Sequence, residues 1–403
     1  IHATMATGDG SEPIDNASIV VKNGKITAIG KDVPIDAKSE VIDASGKWVT
    51  PGIFAAMTDL GLWDVGAVSQ SNDKSASGSP FGAALDVTSG INPDSQHIRI
   101  SRAGGVTRAS VTSYPSGSLF GGQGAVIDLG DDPDAVFQPR AFQYVVLGEE
   151  GAKIAGGSRT ASYVALKNAL AEAGDLASRS GRKDDSMLTR PDAAALIPVI
   201  QGRQPVYIAV ERASDIRSVI ALKREYPSLK IVLVGASEGW LVADDIARSN
   251  IPVIANGLDD LPTSFEKLAA TQSNVGRMTQ AGVKVALGGF AASTQPRNAR
   301  QYAGNLVGLA RLPGATGLSW GKALASITSI PAEIAGLDGR IGVLKPGANA
   351  DVVLWDGDPL DVRSAPQRVF IDGVEQNLDN HQSRLKDRYR DLDESNLPKA
   401  YDW

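Results

Sequence analysis

A chain of 403 residues with 42% hydrophobic and 21% charged residues can bury a large core, in one large or two modest domains, and is not disordered as a whole. Lys and Arg number 40 against 46 Asp and Glu, so the net charge of −6 opposes nucleic acid and anionic membranes, and no apolar run approaches the ~20 residues that span a bilayer. The absence of cysteine excludes disulfides, thiolate ligands and thiol nucleophiles, and suits an oxidising compartment.

In chain order, residues 17–30 hold two β-rich runs split by Asn23-Gly24, a strong hairpin signal. Further strands are predicted at 41–44 and 47–49. From 52 to 338, apolar β-rich runs alternate with helical patterns. Strands are expected at 53–57, 106–111, 141–147, 206–210, 231–234, 253–255 and 283–287, and helices at 162–173, 213–225, 240–249 and 303–309. This alternation predicts an α/β protein with a TIM-like (β/α)8 barrel, whose chemistry would sit at the strand C-terminal ends. The glycine-rich run 117–126 is expected to be a loop, and it lacks the Gly-Lys-Ser/Thr ending of a phosphate loop. Residues 69–80 and 173–186 are polar and unpatterned, and are expected as plain solvated surface loops, with cover over the barrel mouth or contact with a partner as the alternatives. Near the end, 351–355 and 369–374 are predicted strands.

Strands at both ends of the chain predict a small β-sandwich closed by the two termini. The domain plan is therefore 1–51 and 339–376 for the sandwich, 52–338 for the barrel, and 377–403 for a charged tail. Tyr401 and Trp403 make that tail a candidate interface arm.

Four segments carry a family resemblance: Trp48 to Gly61 (WVTPGIFAAMTDLG), Val146 to Lys153 (VLGEEGAK), Pro205 to Ile216 (PVYIAVERASDI) and Gly339 to Pro359 (GRIGVLKPGANADVVLWDGDP). They resemble the amidohydrolase superfamily, especially its imidazolonepropionase-like and prolidase-like branch. The resemblance implies a barrel with a composite β domain, hydrolysis of carbon–nitrogen bonds and bound zinc. It also implies ligand positions, and there the chain departs from the pattern. Met57 and Asp59 stand where two histidines are expected, Ala209 and Glu211 where a His-x-His pair is, Gly235 at the next histidine, and Phe290 at the aspartate of a Gly-Ser-Asp turn. With Glu149 and Glu238 these residues form the expected vestigial pocket. Lys153 matches the lysine of a Gly-Glu-x-x-x-Lys motif and is read as an ion-pairing or surface residue.

The chain has three histidines, His2, His97 and His381, none at a predicted strand end, whereas a hydrolytic zinc site uses three protein ligands and a water. His97 is expected on a helix ahead of Gly104-Gly105, as a surface or capping residue. Asp59, Glu149, Glu150, Glu211 and Glu238 could supply an all-oxygen site for calcium, magnesium or manganese, but are read first as solvated or hydrogen-bonded acids. The expectation is thus a degenerate amidohydrolase with no catalytic residue, metal or cofactor. It would serve as a structural or regulatory subunit, a homo- or hetero-oligomer with an active paralogue as the candidate partner, exported to the periplasm. Two alternatives stay open: an active amidohydrolase or dipeptidase with a carboxylate metal site, and a binding protein using the old pocket.

Overall fold

The computed structural model describes residues 1–178, 185–289 and 296–390, so Phe290, Tyr401 and Trp403 lie outside the described residues. The chain opens with β1 (Ala3–Met5), β2 (Ile14–Lys22), β3 (Lys25–Gly30) and β4 (Trp48–Pro51). β2 and β3 meet at the expected turn, where Asn23 and Gly24 take φ of 51° and 73°, the left-handed pair that suits a tight hairpin. No strand forms at 41–44. Its backbone is tied instead by the Ala44 N–H on the Ile1 carbonyl and by Asp43, which accepts from the Ser45 N–H.

Eight strands follow as a nearly closed barrel: β5 (Ile53–Thr58), β6 (Val106–Val111), β7 (Phe120–Asp128), β8 (Val136–Val146), β9 (Val206–Val210), β10 (Ile231–Gly235), β11 (Val253–Ala255) and β12 (Val285–Leu287). They lie in sequential order, and a bridge between Ala56 and Gly288 brings the last back to the first. β7 runs antiparallel to both neighbours, and every other pair is parallel. The barrel is therefore not a strict (β/α)8, and most of the glycine-rich run expected as a loop is strand. Glycine weakens a strand signal, yet packing demands it here. A Cβ on Gly124 would sit 2.2 Å from the Phe142 ring, and one on Gly122 2.4 Å from the Leu85 carbonyl.

Helices fill most of the parallel crossovers. Gln96–Ala103 leads into β6, Arg159–Ala177 and Arg190–Ile200 into β9, Ala213–Glu225 into β10, and Ala243–Ser249 into β11. Arg159–Ala177 shortens the expected 173–186 loop, of which 179–184 lie outside the described residues. Among the described residues no helix is long and apolar enough to cross a membrane.

The barrel strands are apolar on both faces because both are covered. Ile53, Ala55, Ile208, Leu233, Val253 and Val285 belong to the large outer core, while Phe54, Ala56, Phe142, Tyr207, Val232, Ile254 and Ala286 form a second cluster. In that second cluster the Phe142 and Tyr207 rings stack with centroids 4.1 Å apart.

After the barrel, β13 (Val352–Trp355), β14 (Pro366–Ile371) and β15 (Val374–Glu375) join the first four strands in a seven-stranded sheet ordered β15-β14-β13-β4-β1-β2-β3. The termini meet at the antiparallel pair β13–β4, with Val353 opposite Thr50. The far edge, β3, curls back: the Ile26 N–H donates to the Ala348 carbonyl and Lys25 bridges to Asn349. The expected sandwich is thus one sheet folded over its own core of Met5, Ile26, Val49, Leu344, Val352 and Leu354. In the tail, the helix His381–Tyr389 is capped by Asn380, whose side chain accepts from the Gln382 and Ser383 N–H groups.

Sheet and barrel are fastened by Arg108 of β6, which is fully buried. Its Nε donates to Asp351 Oδ2 at 2.7 Å, and its Nη2 to Asp351 Oδ1 at 3.0 Å and Asp372 Oδ2 at 2.7 Å, while Asp128 lies 3.5 Å away. Asp351 precedes β13 in the most family-like string of the sequence. Beside it, the Trp355 indole donates to Thr50 Oγ1 at 2.9 Å, and its ring lies where a Cβ on Gly105 would be 2.6 Å away. Asp351→Ala should lower unfolding free energy by about 3–5 kcal/mol, because it strips a buried guanidinium of its bidentate partner. Glu375→Ala, which breaks a part-exposed pair with Arg368, should lower it by about 1 kcal/mol or less. Urea unfolding of both variants checks the contrast, and equal losses would contradict it.

Candidate functional site

At the end of β5, Met57 is buried and takes φ of 58°, uncommon for a residue with a side chain, and its N–H donates to Ser110 Oγ at 2.8 Å. Asp59 follows, 1% exposed, and neither carboxylate oxygen meets a hydrogen-bond partner. The Trp63 indole N–H, also without a partner in bonding geometry, and the Lys74 ammonium lie close enough to favour the charged carboxylate. Burial nevertheless dominates and pushes Asp59 up to about 6. Lys74 stands 4.3 Å over the Trp63 ring. The loop 69–80 is tied to the segments that follow β5 and β6: the Asp73 N–H donates to the Leu62 carbonyl and the Tyr114 N–H to the Lys74 carbonyl.

His97 corrects an expectation. It is buried rather than at the surface, with Nε2 2.9 Å from the Asp64 carbonyl and its ring 4.5 Å from that of Trp63. Burial lowers its pKa, which favours the neutral ring.

At the ends of β9 and β10 the acids are engaged. Glu211 Oε2 accepts from the Ser237 N–H at 3.0 Å and the Ser237 hydroxyl at 2.6 Å, while Oε1 lies 3.1 Å from the Lys267 ammonium. Lys267 also lies 3.1 Å from Asp259 Oδ2, and Ser237 Oγ lies 2.6 Å from that same oxygen. A hydroxyl has one proton, so Ser237 donates to one carboxylate at a time, whereas the ammonium serves both. Burial works against the charge of Lys267, but Glu211 and Asp259 outweigh it and raise its pKa. Gly235 makes the arrangement possible. Its φ is 88°, and a Cβ there would sit 2.5 Å from Glu211 Oε1, so the glutamate folds back through space that any larger residue would fill.

Two buried tyrosines feel Asp59 and Glu211. The Tyr144 hydroxyl is pushed up by burial and then by Glu211, and that of Tyr114 by burial, Asp59 and Tyr144.

The other predicted positions do not join them. Ala209 lies in β9 in register with Val146 and Val234 and carries no donor. Glu238 is buried and accepts from the Ala213 N–H at 3.0 Å and the Ala269 N–H at 3.1 Å, tying a helix start to a loop. Glu149 pairs loosely with Arg159 at 3.8 Å, while Glu150 and Lys153 are exposed. Among the described residues no group of three or more His, Asp or Glu side chains has a spacing that could hold a metal ion. Sequence reasoning missed Asp259 and Lys267. They belong to a segment after β11 without periodic pattern, and the only available signal was topological, since loops after barrel strands lie at the mouth.

The sequence profile of the Amidohydrolase family matches residues 201–375. Amidohydrolase tasK of Hapsidospora irregularis is 25% identical over 407 residues, covering 89% of this chain, which itself spans only 39% of that protein. An amidohydrolase from Thermotoga maritima MSB8 superposes with a TM-score of 0.81 at 25% identity, covering 93% of this chain and 98% of that one. A prolidase complexed with N-methylphosphonate-L-proline shares the fold at a TM-score of 0.57 and 15% identity, covering 93% and 98%. Barrel, folded terminal sheet, family profile and relatives agree, and the chain belongs to the amidohydrolase superfamily.

Proposed function

We propose that this hydrolase by descent is a non-catalytic subunit, which keeps the barrel for binding, assembly or regulation beside an active, histidine-bearing relative in an exported compartment. The observation that carries this reading is where the three imidazoles lie. His2 bonds Asn16 in the terminal sheet, His97 bonds the Asp64 carbonyl, and His381 opens the tail helix. The zinc that the superfamily implies does not fit the residues present: Met57, Ala209 and Gly235 offer no strong donor, and Glu211 is engaged by Ser237 and Lys267. The left-handed Met57 and Ala236, φ 58° and 49°, support descent from a catalytic site, because such strained backbone clusters at active sites. Pairing is supported by tasK, where a segment of this kind is part of a polypeptide more than twice as long. Export is supported by the cysteine-free composition.

Metal analysis by mass spectrometry on the purified chain, with hydrolysis assays on dipeptides and cyclic amides in added zinc or manganese, tests the reading. The expected outcome is far less than one metal per chain and no turnover above blank. Stoichiometric metal with turnover that Glu211→Gln removes would refute it. Purification from the native source should bring along a second, histidine-bearing barrel chain, and recovery of this chain alone in quantity would sink the partner.

One observation favours a second reading, an active site working by acid and base: Asp59 is held near 6, within reach of neutral pH. In that case Asp59→Asn abolishes turnover, and the wild-type rate has a midpoint near Asp59's own value.

The same substitution tests the buried carboxylate without any activity. Folded Asp59 is raised from 3.8 to about 6, so charging it destabilises the native state as pH rises between those values. Asp59→Asn should therefore be more stable than wild type by roughly 2–3 kcal/mol above pH ~6, with the gain shrinking toward zero below pH ~4. Chemical denaturation across this range checks it, and a pH-independent difference would contradict it.

A further inference from the structure

The segment 256–273 is built inside out for a loop. Leu261, Phe265 and Leu268 are 73%, 83% and 63% exposed, while Glu266 and Lys267 between them turn inward. Glu266 accepts the Glu149 N–H at 2.7 Å and pairs with Arg159 at 3.2 Å. Two residues beyond Lys267, the Ala269 N–H reaches Glu238 and its carbonyl receives the Trp240 indole at 2.8 Å. Lys267 is thus fixed on both sides, with its ammonium equidistant, at 3.1 Å, from Glu211 and Asp259. A solvated lysine would forfeit little by swinging out, whereas this one is held between two carboxylates, Glu211 and Asp259, which the Ser237 hydroxyl also reaches.

We propose that Lys267 is a tethered cation standing in place of a metal, which holds the 256–273 segment shut across the barrel mouth, and that removing its charge uncovers an oxygen-donor site for a hard divalent cation. The site comprises Glu211, Asp259 and Ser237 Oγ, oxygen ligands of the kind that manganese and calcium accept. The inference rests on the reading above, that the mouth of the wild-type chain carries no metal, and it explains what balances the acids instead. The ammonium is a fixed stand-in ion, and Gly235 leaves the room that lets Glu211 reach it.

Isothermal titration with Mn2+ and with Ca2+ tests the proposal on the full chain, on Lys267→Met, on Lys267→Arg and on Lys267→Met combined with Glu211→Gln. Methionine keeps the apolar stem and removes the charge. Lys267→Met should bind one Mn2+ at least about tenfold more tightly than wild type, since a like charge no longer stands beside the incoming cation. Lys267→Arg should match wild type, and the added Glu211→Gln should cancel the gain. A folded Lys267→Met with no gain, or a gain that survives Glu211→Gln, overturns the proposal.

A second measurement uses the unmodified chain, should the variant fail to fold. Reductive methylation followed by peptide mass spectrometry should label Lys267 about tenfold or more slowly than the exposed Lys153 and Lys230, because its reaction requires the segment to open. Equal rates overturn the proposal. The two failures are distinguishable. Metal and turnover in the wild-type chain remove the non-catalytic reading, whereas a missing gain in Lys267→Met removes the tethered cation alone.

Discussion

The buried guanidinium of Arg108 is the constraint on which the rest of the molecule depends. A charge so deep is tolerated only where its donors are met, and the acids that meet it come from distant parts of the chain: Asp351 and Asp372 from the returning C-terminal strands, and Asp128 from the end of β7. This one side chain sets the register of barrel against sheet. Trp355 completes the joint, filling the space over Gly105 that any side chain would close. Rigidity at this end allows the strand ends at the other to carry strained residues such as Met57.

At the mouth, electrostatics has been settled internally. Glu211 and Asp259 are balanced by a lysine of the same chain, Glu238 is spent on backbone amides, and Asp59 is buried without a partner and drawn toward neutrality. Beneath them the stacked Phe142 and Tyr207 pack among apolar neighbours.

Much of this was legible in the sequence, for physical reasons. Strands buried on both faces leave continuous apolar runs, so β5, β6, β9, β10 and β11 were found nearly to the residue. β7 was hidden because its glycines answer to Phe142 and Leu85 across space, and local propensity carries no record of that. The string around Asp351 was recognisable, but its purpose was not, since the partner lies 243 positions away. The missing histidines could be counted from composition alone. Lys267 and Asp259 could not be found, because their meeting with Glu211 is a property of closure rather than of pattern. His97 was misjudged because a lone histidine gives no sign of the Trp63 ring that covers it.

The antiparallel pairing of β4 with β13 has a consequence for the order in which the molecule can form. β4 ends at Pro51 and its neighbour begins at Val352, so the first strands leave the ribosome some 300 residues before their partner. Through that interval the edge of β4 has no neighbour and Arg108 has no Asp351. Pairings this remote in sequence form slowly, and an unpaired edge invites other chains. The joint between sheet and barrel can therefore close only after the last strands are made, although the barrel strands pair with their sequence neighbours.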